Sequence, residues 1–231
     1  MRTGTCSVSL NEIRFPFVDS VRAPGPVDKA VDILQALVSA PLDLAGLQAA
    51  TGLPRATAHR LAVHLEGHHL VRRDAQGRFC LGFGLIGLGR AAEAAFPLAD
   101  LARPTLASLR DSTGESVQLF VRDGEARRCV VSLQSAHALQ WIVPDGALLP
   151  LEVGSAGKVL RGDAAGGVAE SVEEREAGVA SVSAAVLDTA GAVIAAVSVS
   201  GPLERLGRSP ARRFGPAVSA AADEVTRRLG R

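Results

Sequence analysis

The residues best suited to chemistry in this sequence lie between Leu53 and Leu81. Arg55, Arg60, Arg72, Arg73 and Arg78 stand there against only Glu66 and Asp74, a net +3 on a chain whose total is +1. Guanidinium groups neutralise phosphates, and a bidentate Arg reads guanine in the major groove of DNA. Thr57 and His59 add short hydrogen-bonding side chains within the same few residues. A basic island on an otherwise near-neutral chain is the electrostatic footprint of a nucleic-acid surface.

Other reactive residue types are scattered. Cys6, Cys80 and Cys129 are far apart and odd in number, with no zinc-ligand spacing, so they read as reduced thiols and not as a disulfide framework. Cys129 has no histidine partner in its segment, which favours a buried thiol over a nucleophile. His64, His68 and His69 surround the end of one helix without a Cys or carboxylate set, and suit helix-end or phosphate contacts better than metal. Glu173, Glu174 and Glu176 alternate with Arg175 as a solvated face does. No nucleophile–base pair or metal constellation emerges, so the sequence reads as a non-enzyme that needs no cofactor.

The basic residues need elements to hold them. Val27, Ala30, Val31, Leu34, Leu37 and Val38 form one helical stripe after Pro26, a residue suited to a first turn. Asp43 is placed to cap a short helix carrying Leu44, Leu47 and Ala50, which stops at Gly52. Pro54 then opens a third helix whose core face is Ala58, Leu61, Ala62 and Leu65. Arg55, Thr57, His59, Arg60 and His64 fall on its other faces, so Thr57, His59 and Arg60 are candidates for base contact and Arg55 for phosphate. Leu70–Arg73 and Arg78–Leu81, joined by Asp74-Ala75-Gln76-Gly77, predict a β-hairpin. Its Arg72, Arg73 and Arg78 suit the DNA backbone or minor groove. Three helices and a basic hairpin make a winged helix-turn-helix.

The fold class is therefore α+β in four stretches. Residues 1–25, ending in the breakers Ala23-Pro24-Gly25-Pro26, read as a disordered leader; Val21 and Val27 are alternative translation starts, which intact mass distinguishes. Residues 26–82 are the winged helix, and residues 83–96 a linker helix weakened by its glycines. Residues 97–231 form a second domain. In it a helix is expected over Leu98–Thr113, bent or restarted at Pro104. Strands are expected near Val117–Arg122, Arg128–Leu133, Leu139–Val143, Ser181–Leu187 and Val193–Ser200, with a final helix after Ser209. At 47% hydrophobic and 21% charged, with 3% aromatic residues and no Tyr, the chain is a globular protein whose core is built from small aliphatics. Its most apolar stretch, Ala190–Val199, is too short to span a bilayer, and no signal-peptide layout opens it, which predicts a cytoplasmic protein without a membrane partner.

Gly52-Leu53-Pro54-Arg55-Ala56-Thr57-Ala58-His59-Arg60-Leu61, Leu70–Asp74 and Gly77–Gly82 together resemble the IclR family of bacterial transcriptional regulators. The resemblance continues through Thr113–Val117, Gly157-Lys158, Glu173–Val179 and Ser198–Pro202, and covers nearly everything after residue 26. Gly178–Ser183 and Pro202–Leu206 are most similar to actinobacterial regulators of leucine and other amino-acid biosynthesis. The resemblance implies a C-terminal effector-binding domain of GAF- or PAS-like fold and a homodimer or dimer of dimers on a near-palindromic operator of double-stranded DNA. It also implies an effector pocket at Gly154, Ser155, Ala156, Ser171, Val179, Ser181, Ser198 and Ser200, where small hydroxyls and backbone amides would hold a small carboxylate or amino acid. Between Lys158 and Glu173 the chain departs from the family pattern: a Gly/Ala-rich bridge replaces helical segments that help wall the pocket. The sequence thus supports two functions: a ligand-modulated transcription factor, or a constitutive DNA-binding dimer whose shortened second domain is a scaffold without ligand.

Overall fold

A computed structural model of the chain describes residues 25–95 and 97–230. The expected leader, residues 1–24, lies outside the described residues. The remainder divides into two compact units on either side of residue 96. Among the described residues no helix is long and apolar enough to cross a membrane.

The first unit begins with α1 (Pro26–Ala36), where the Asp28 carboxylate accepts the Gly25 N–H at 2.6 Å. Asp43 caps α2 (Leu44–Thr51) by accepting from the Gly46 N–H at 2.7 Å, an interaction typically worth about 1 kcal/mol. Pro54 stands at the N-cap of α3 (Arg55–Gly67), one residue outside the position the sequence predicts. Ile33, Leu47, Ala62 and Leu65 of the three helices, with Leu37 at the C-cap of α1, bury against Val71 and Phe79. Val71 and Phe79 belong to β1 (Val71–Arg73) and β2 (Phe79–Leu81), which pair antiparallel as the wing. A bridge between Leu42 and Phe79 adds a pairing on the other edge of β2 that sequence periodicity does not reveal.

After the wing the chain passes very close to the end of α3. The Gly82 N–H donates to Leu70 O at 2.9 Å and the Gly84 N–H to His69 O at 3.0 Å, while His69 adopts a left-handed backbone with φ 60°. Next comes α4 (Gly84–Ala94), helical despite Gly87 and Gly89.

In the second unit α5 (Leu98–Thr113) runs through Pro104 without a restart. Strands β3 (Ser116–Asp123), β4 (Ala126–Leu133) and β5 (Leu148–Pro150) are followed by the short helix α6 (Ser155–Arg161). The chain continues through β6 (Val168–Val172), β7 (Val179–Leu187), β8 (Val193–Pro202), the single turn α7 (Leu203–Leu206) and α8 (Pro210–Leu229). The sheet order is β5-β4-β3-β8-β7-β6, with every pair antiparallel, a GAF-like arrangement. Two strand expectations need correction. Leu139–Val143 is not a strand; β5 takes that role, while Trp141 and Val143 bury as irregular chain. The bridge after Lys158 is not loop throughout either, since residues 168–172 form edge strand β6 along β7.

Period-two alternation assigns the two faces of the sheet. Val117, Leu119, Val182, Ala184, Val197 and Val199 face α5 and α8, where they pack with Leu106, Leu109, Phe214, Val218 and Val225. The intervening residues face α6 and include Gln118, Phe120, Ser181, Ser183, Ser198 and Ser200. One face is thus aliphatic core and the other is strewn with polar groups.

Candidate functional site

On α3 the buried residues Ala58, Ala62 and Leu65 hold the helix against its supports. That leaves Arg55, His59 and Arg60 exposed on the outside, with Thr57 half-buried between them. Ala56 and Val63 are exposed on the same helix. Neither carries charge, yet an apolar side chain there can meet a thymine methyl.

The wing arginines differ from one another. Arg78 grips Asp74 at 2.7 Å, and Asp74 also accepts the N–H groups of Gln76 and Arg78, which closes the turn. Desolvation pushes the Asp74 carboxyl up, but these hydrogen bonds outweigh it and hold the group below the usual carboxylate range. Arg73 lies over the Phe79 ring, 4.1 Å from its centroid, pairs with Glu66 at 3.4 Å and donates to Gly77 O. Arg72 lies 4.8 Å from the Phe83 ring centroid. Among the described residues, Arg55, Arg60 and Arg72 make no ion pair with a carboxylate, whereas Arg73 and Arg78 also brace the wing.

In the second unit, the sheet register gathers the other predicted residues. Ser116, Ser200, Ser181 and Ser171 stand opposite one another across β3, β8, β7 and β6, and Gln118, Ser198 and Ser183 form the adjoining row. A cavity of about 40 Å³ opens over these rows, room for about three waters or a very small organic molecule. All eight residues of the implied pocket line it: Gly154, Ser155, Ala156, Ser171, Val179, Ser181, Ser198 and Ser200. The Ser155 hydroxyl lies 2.7 Å from those of both Ser181 and Ser183, and the Ser200 hydroxyl donates to Gln118 Oε1 at 2.8 Å. Ser171 of β6, with Arg175 and Glu176 in the segment after it, walls the cavity on this side.

Glu174 is exposed, as expected of a solvated face, but it also makes specific contacts. Its carboxylate pairs with Lys158 and accepts the Gly154 N–H at 3.2 Å, tying the segment after β6 to α6. Burial pushes the group up, yet the Lys158 and Gly154 hydrogen bonds prevail and hold it below the usual range. Cys129 is fully buried and its thiol is pushed far up by burial, so it is inert as a nucleophile.

Gln118, Phe120, Arg127, Trp141, Val143, Leu149, Arg175 and Glu176 complete the lining, a role that the residue types and spacing alone give to none of them. Arg127 matters most among them. Between Leu119 and Phe120 the pairing of β3 with β4 slips by one residue, so Val131 faces Leu119 but Cys129 faces Phe120. This bulge turns Cys129 and Arg127 to the α6 side of the sheet, where strict alternation would have left them under α5. Arg127 is only 3% exposed; its Nη1 donates to Pro150 O and Val153 O, and it lies 5.5 Å from the Phe120 ring centroid. The guanidinium fits because α6 opens with small residues. A Cβ on Gly154 would stand 3.0 Å from Nη2, and one on Gly157 would stand 2.8 Å from Nη1 and 2.2 Å from Leu151 O. That run of small residues, Gly154-Ser155-Ala156-Gly157, was the available signal that a large group passes beneath. Burial, then the neighbouring Arg175 and Arg161, lower the Arg127 pKa to about 10, which leaves it a cation at neutral pH.

Among the described residues no three His, Cys, Asp or Glu lie close enough together to hold a metal ion. Comparison with known proteins matches residues 26–75 to the IclR helix-turn-helix domain and residues 163–227 to the bacterial transcriptional regulator IclR C-terminal domain. The chain is 25% identical over 218 residues to the transcriptional repressor IclR of Escherichia coli (strain K12), spanning 78% of this chain and 80% of that protein. It shares its fold with the IclR of Thermotoga maritima (TM-score 0.71, 21% identity, 89% of this chain and 98% of that one). It shares it also with an IclR homolog from Microbacterium hydrocarbonoxydans complexed with 4-hydroxybenzoate (TM-score 0.77, 18% identity, 89% and 99%).

Proposed function

We propose, from the premise that the chain belongs to the IclR family of transcriptional regulators, that it acts as a cytoplasmic homodimer whose grip on an operator is modulated by a small carboxylate. The observation that carries the DNA half is the exposed row Arg55, His59 and Arg60 on a helix whose opposite face is locked into the core. Arg60, with Thr57 and His59, reads bases, while Arg55 and the wing residues Arg72, Arg73 and Arg78 hold the backbone. Two such helices related by a two-fold axis call for a near-palindromic site. Arg60→Ala should cost about 1–3 kcal/mol of operator affinity, concentrated at one base position. A binding assay across single-base operator variants checks this, and an unchanged preference would remove Arg60 from the groove.

The homodimer reading rests on exposed apolar surface. None of the described side chains of α4 is buried, and Ile86 and Leu88 are 54% and 61% exposed, with Phe83 just before the helix at 72%. An eleven-residue helix containing glycines is not stable on its own in water. A second copy covering this face supplies the missing burial. Ile86→Ser should therefore weaken dimerisation by about ten- to a hundredfold, judged from the apolar side chain lost. Sedimentation velocity over a concentration series measures the shift.

The eight pocket residues that the resemblance implies, all lining one cavity, support effector sensing, and the Gly178–Ser183 and Pro202–Leu206 blocks favour genes of amino-acid biosynthesis as targets. The small cavity favours a second reading, a constitutive DNA-binding dimer with a scaffold domain. Release of operator by a small acid separates the two readings.

A further inference from the structure

Two buried donors at this cavity have no acceptor. Arg127 Nε and Gln118 Nε2 make no hydrogen bond, although their residues are 97% and 99% buried by the exposures of 3% and 1%. Unpaired buried polar groups are uncommon, and each is costly where it persists. Both residues line the cavity and both orphans are donors, so what they lack is an acceptor.

The charges nearest Arg127 are mainly of the same sign, although the Glu176 carboxylate also lines the cavity. Arg175, over the Trp141 ring at 4.7 Å, and Arg161 both raise the positive potential at Arg127, which Glu152 only partly offsets. In the Gln118 side chain the amide oxygen accepts from the Ser200 hydroxyl, which leaves Nε2 as the end without a partner. The Arg127 guanidinium is likewise fixed by the carbonyls of Pro150 and Val153. A donor pair held in place before the ligand arrives lowers the ordering cost of binding.

We infer that Arg127 and Gln118 are the anion-reading end of the cavity, so that its ligand is a small carboxylate bound with its carboxylate group against these two side chains. This rests on the reading of the cavity as the effector site. The serine rows then face the rest of the molecule, and the small cavity favours a short acid. The selectivity that follows is for charge. A neutral amide of the same shape presents one carbonyl oxygen and an NH₂ that would face donors, and is rejected.

The test measures binding to the full-length protein by calorimetry and thermal shift. The ligands are acetate, propionate and lactate, each against its amide, with inorganic phosphate as a separate arm. We expect the acids to bind at least about tenfold more tightly than their amides. Gln118→Glu keeps the acceptor for Ser200 but sets a carboxylate where the donor stood, and should weaken the acids by at least about tenfold. Arg127→Lys keeps the charge without the planar fork and should give a smaller loss; if it fails to fold, Gln118→Glu alone decides. Amides binding as well as acids, or phosphate binding in place of carboxylates, overturns the inference. Acids binding both variants as they bind the wild type overturns the anchor while leaving the effector reading intact. No binding of any probe by the wild type overturns both.

Discussion

Replacing Gly82 by alanine should unfold the DNA-binding unit and abolish operator binding. A Cβ at this position would stand 2.1 Å from His69 O and 2.7 and 2.8 Å from the carbonyl carbons of His69 and Leu70. All three are backbone atoms, held by the hydrogen bonds from Gly82 and Gly84 that tie the chain leaving the wing to the end of α3. No side chain can swing aside, so the strands or the helix end must move. Overpacking against side chains costs about 1–3 kcal/mol, and against fixed backbone the loss should exceed about 3 kcal/mol. A unit of some seventy residues has little stability in reserve. Circular dichroism melts with an operator-binding assay measure the effect. Gly87→Ala is the matched control: its Cβ meets nothing within 4 Å, and alanine should stabilise α4 by up to about 1 kcal/mol. Equal behaviour of the two variants would show that the close approach at Gly82 is unimportant.

The second large effect lies in the other unit. Glu115 is 3% exposed and accepts a two-pronged pair from Arg205, at 2.6 Å from Nε and 2.8 Å from Nη2. Gly201 makes room for it, since a Cβ there would stand 2.5 Å from Glu115 Oε2. The pair joins the start of β3 to α7, and the hydrogen bond raises the Arg205 pKa still further. Removing one partner of a buried pair leaves the other uncompensated, at about 3–5 kcal/mol. Because the Arg205 side chain is 28% exposed, water recovers part of this, and Glu115→Ala should cost about 3 kcal/mol. Chemical denaturation of the full-length protein measures it. The double variant Glu115→Ala/Arg205→Leu should recover part of the loss; no recovery would mean that the pair is not what stabilises the junction.

The winged helix was legible because each local signal there agrees: a 3.6-residue apolar stripe, Asp43 and Gly52 at the helix ends, and a hairpin with Asp and Gly in its turn. Strands β7 and β8 were legible for a related reason, as Val and Ala alternate with Ser along them. β6 was not, since Val168–Val172 follows a Gly/Ala-rich run and gains its strand character by pairing with β7. Leu139–Val143 misled because Trp141 and Val143 alternate with exposed or half-exposed neighbours as a strand does, yet no strand pairs with them. The hydroxyls of the pocket came with the family resemblance. Its donor end did not, because two arginines stand side by side at 127 and 128 and alternation turns one inward without saying which. The bulge opposite Leu119 and Phe120 decides, and nothing in the local sequence announces it.

The scarcity of aromatic residues gives the cavity an optical property. The chain has one tryptophan and no tyrosine, and that tryptophan, Trp141, lines the cavity with the Arg175 guanidinium over its ring. Near-ultraviolet excitation of the protein therefore reports on a single place. Emission from an indole depends on the charges and solvent beside it, so its intensity and colour follow what occupies the cavity. The native sequence is its own fluorescent sensor, and titrations of the cavity require no label.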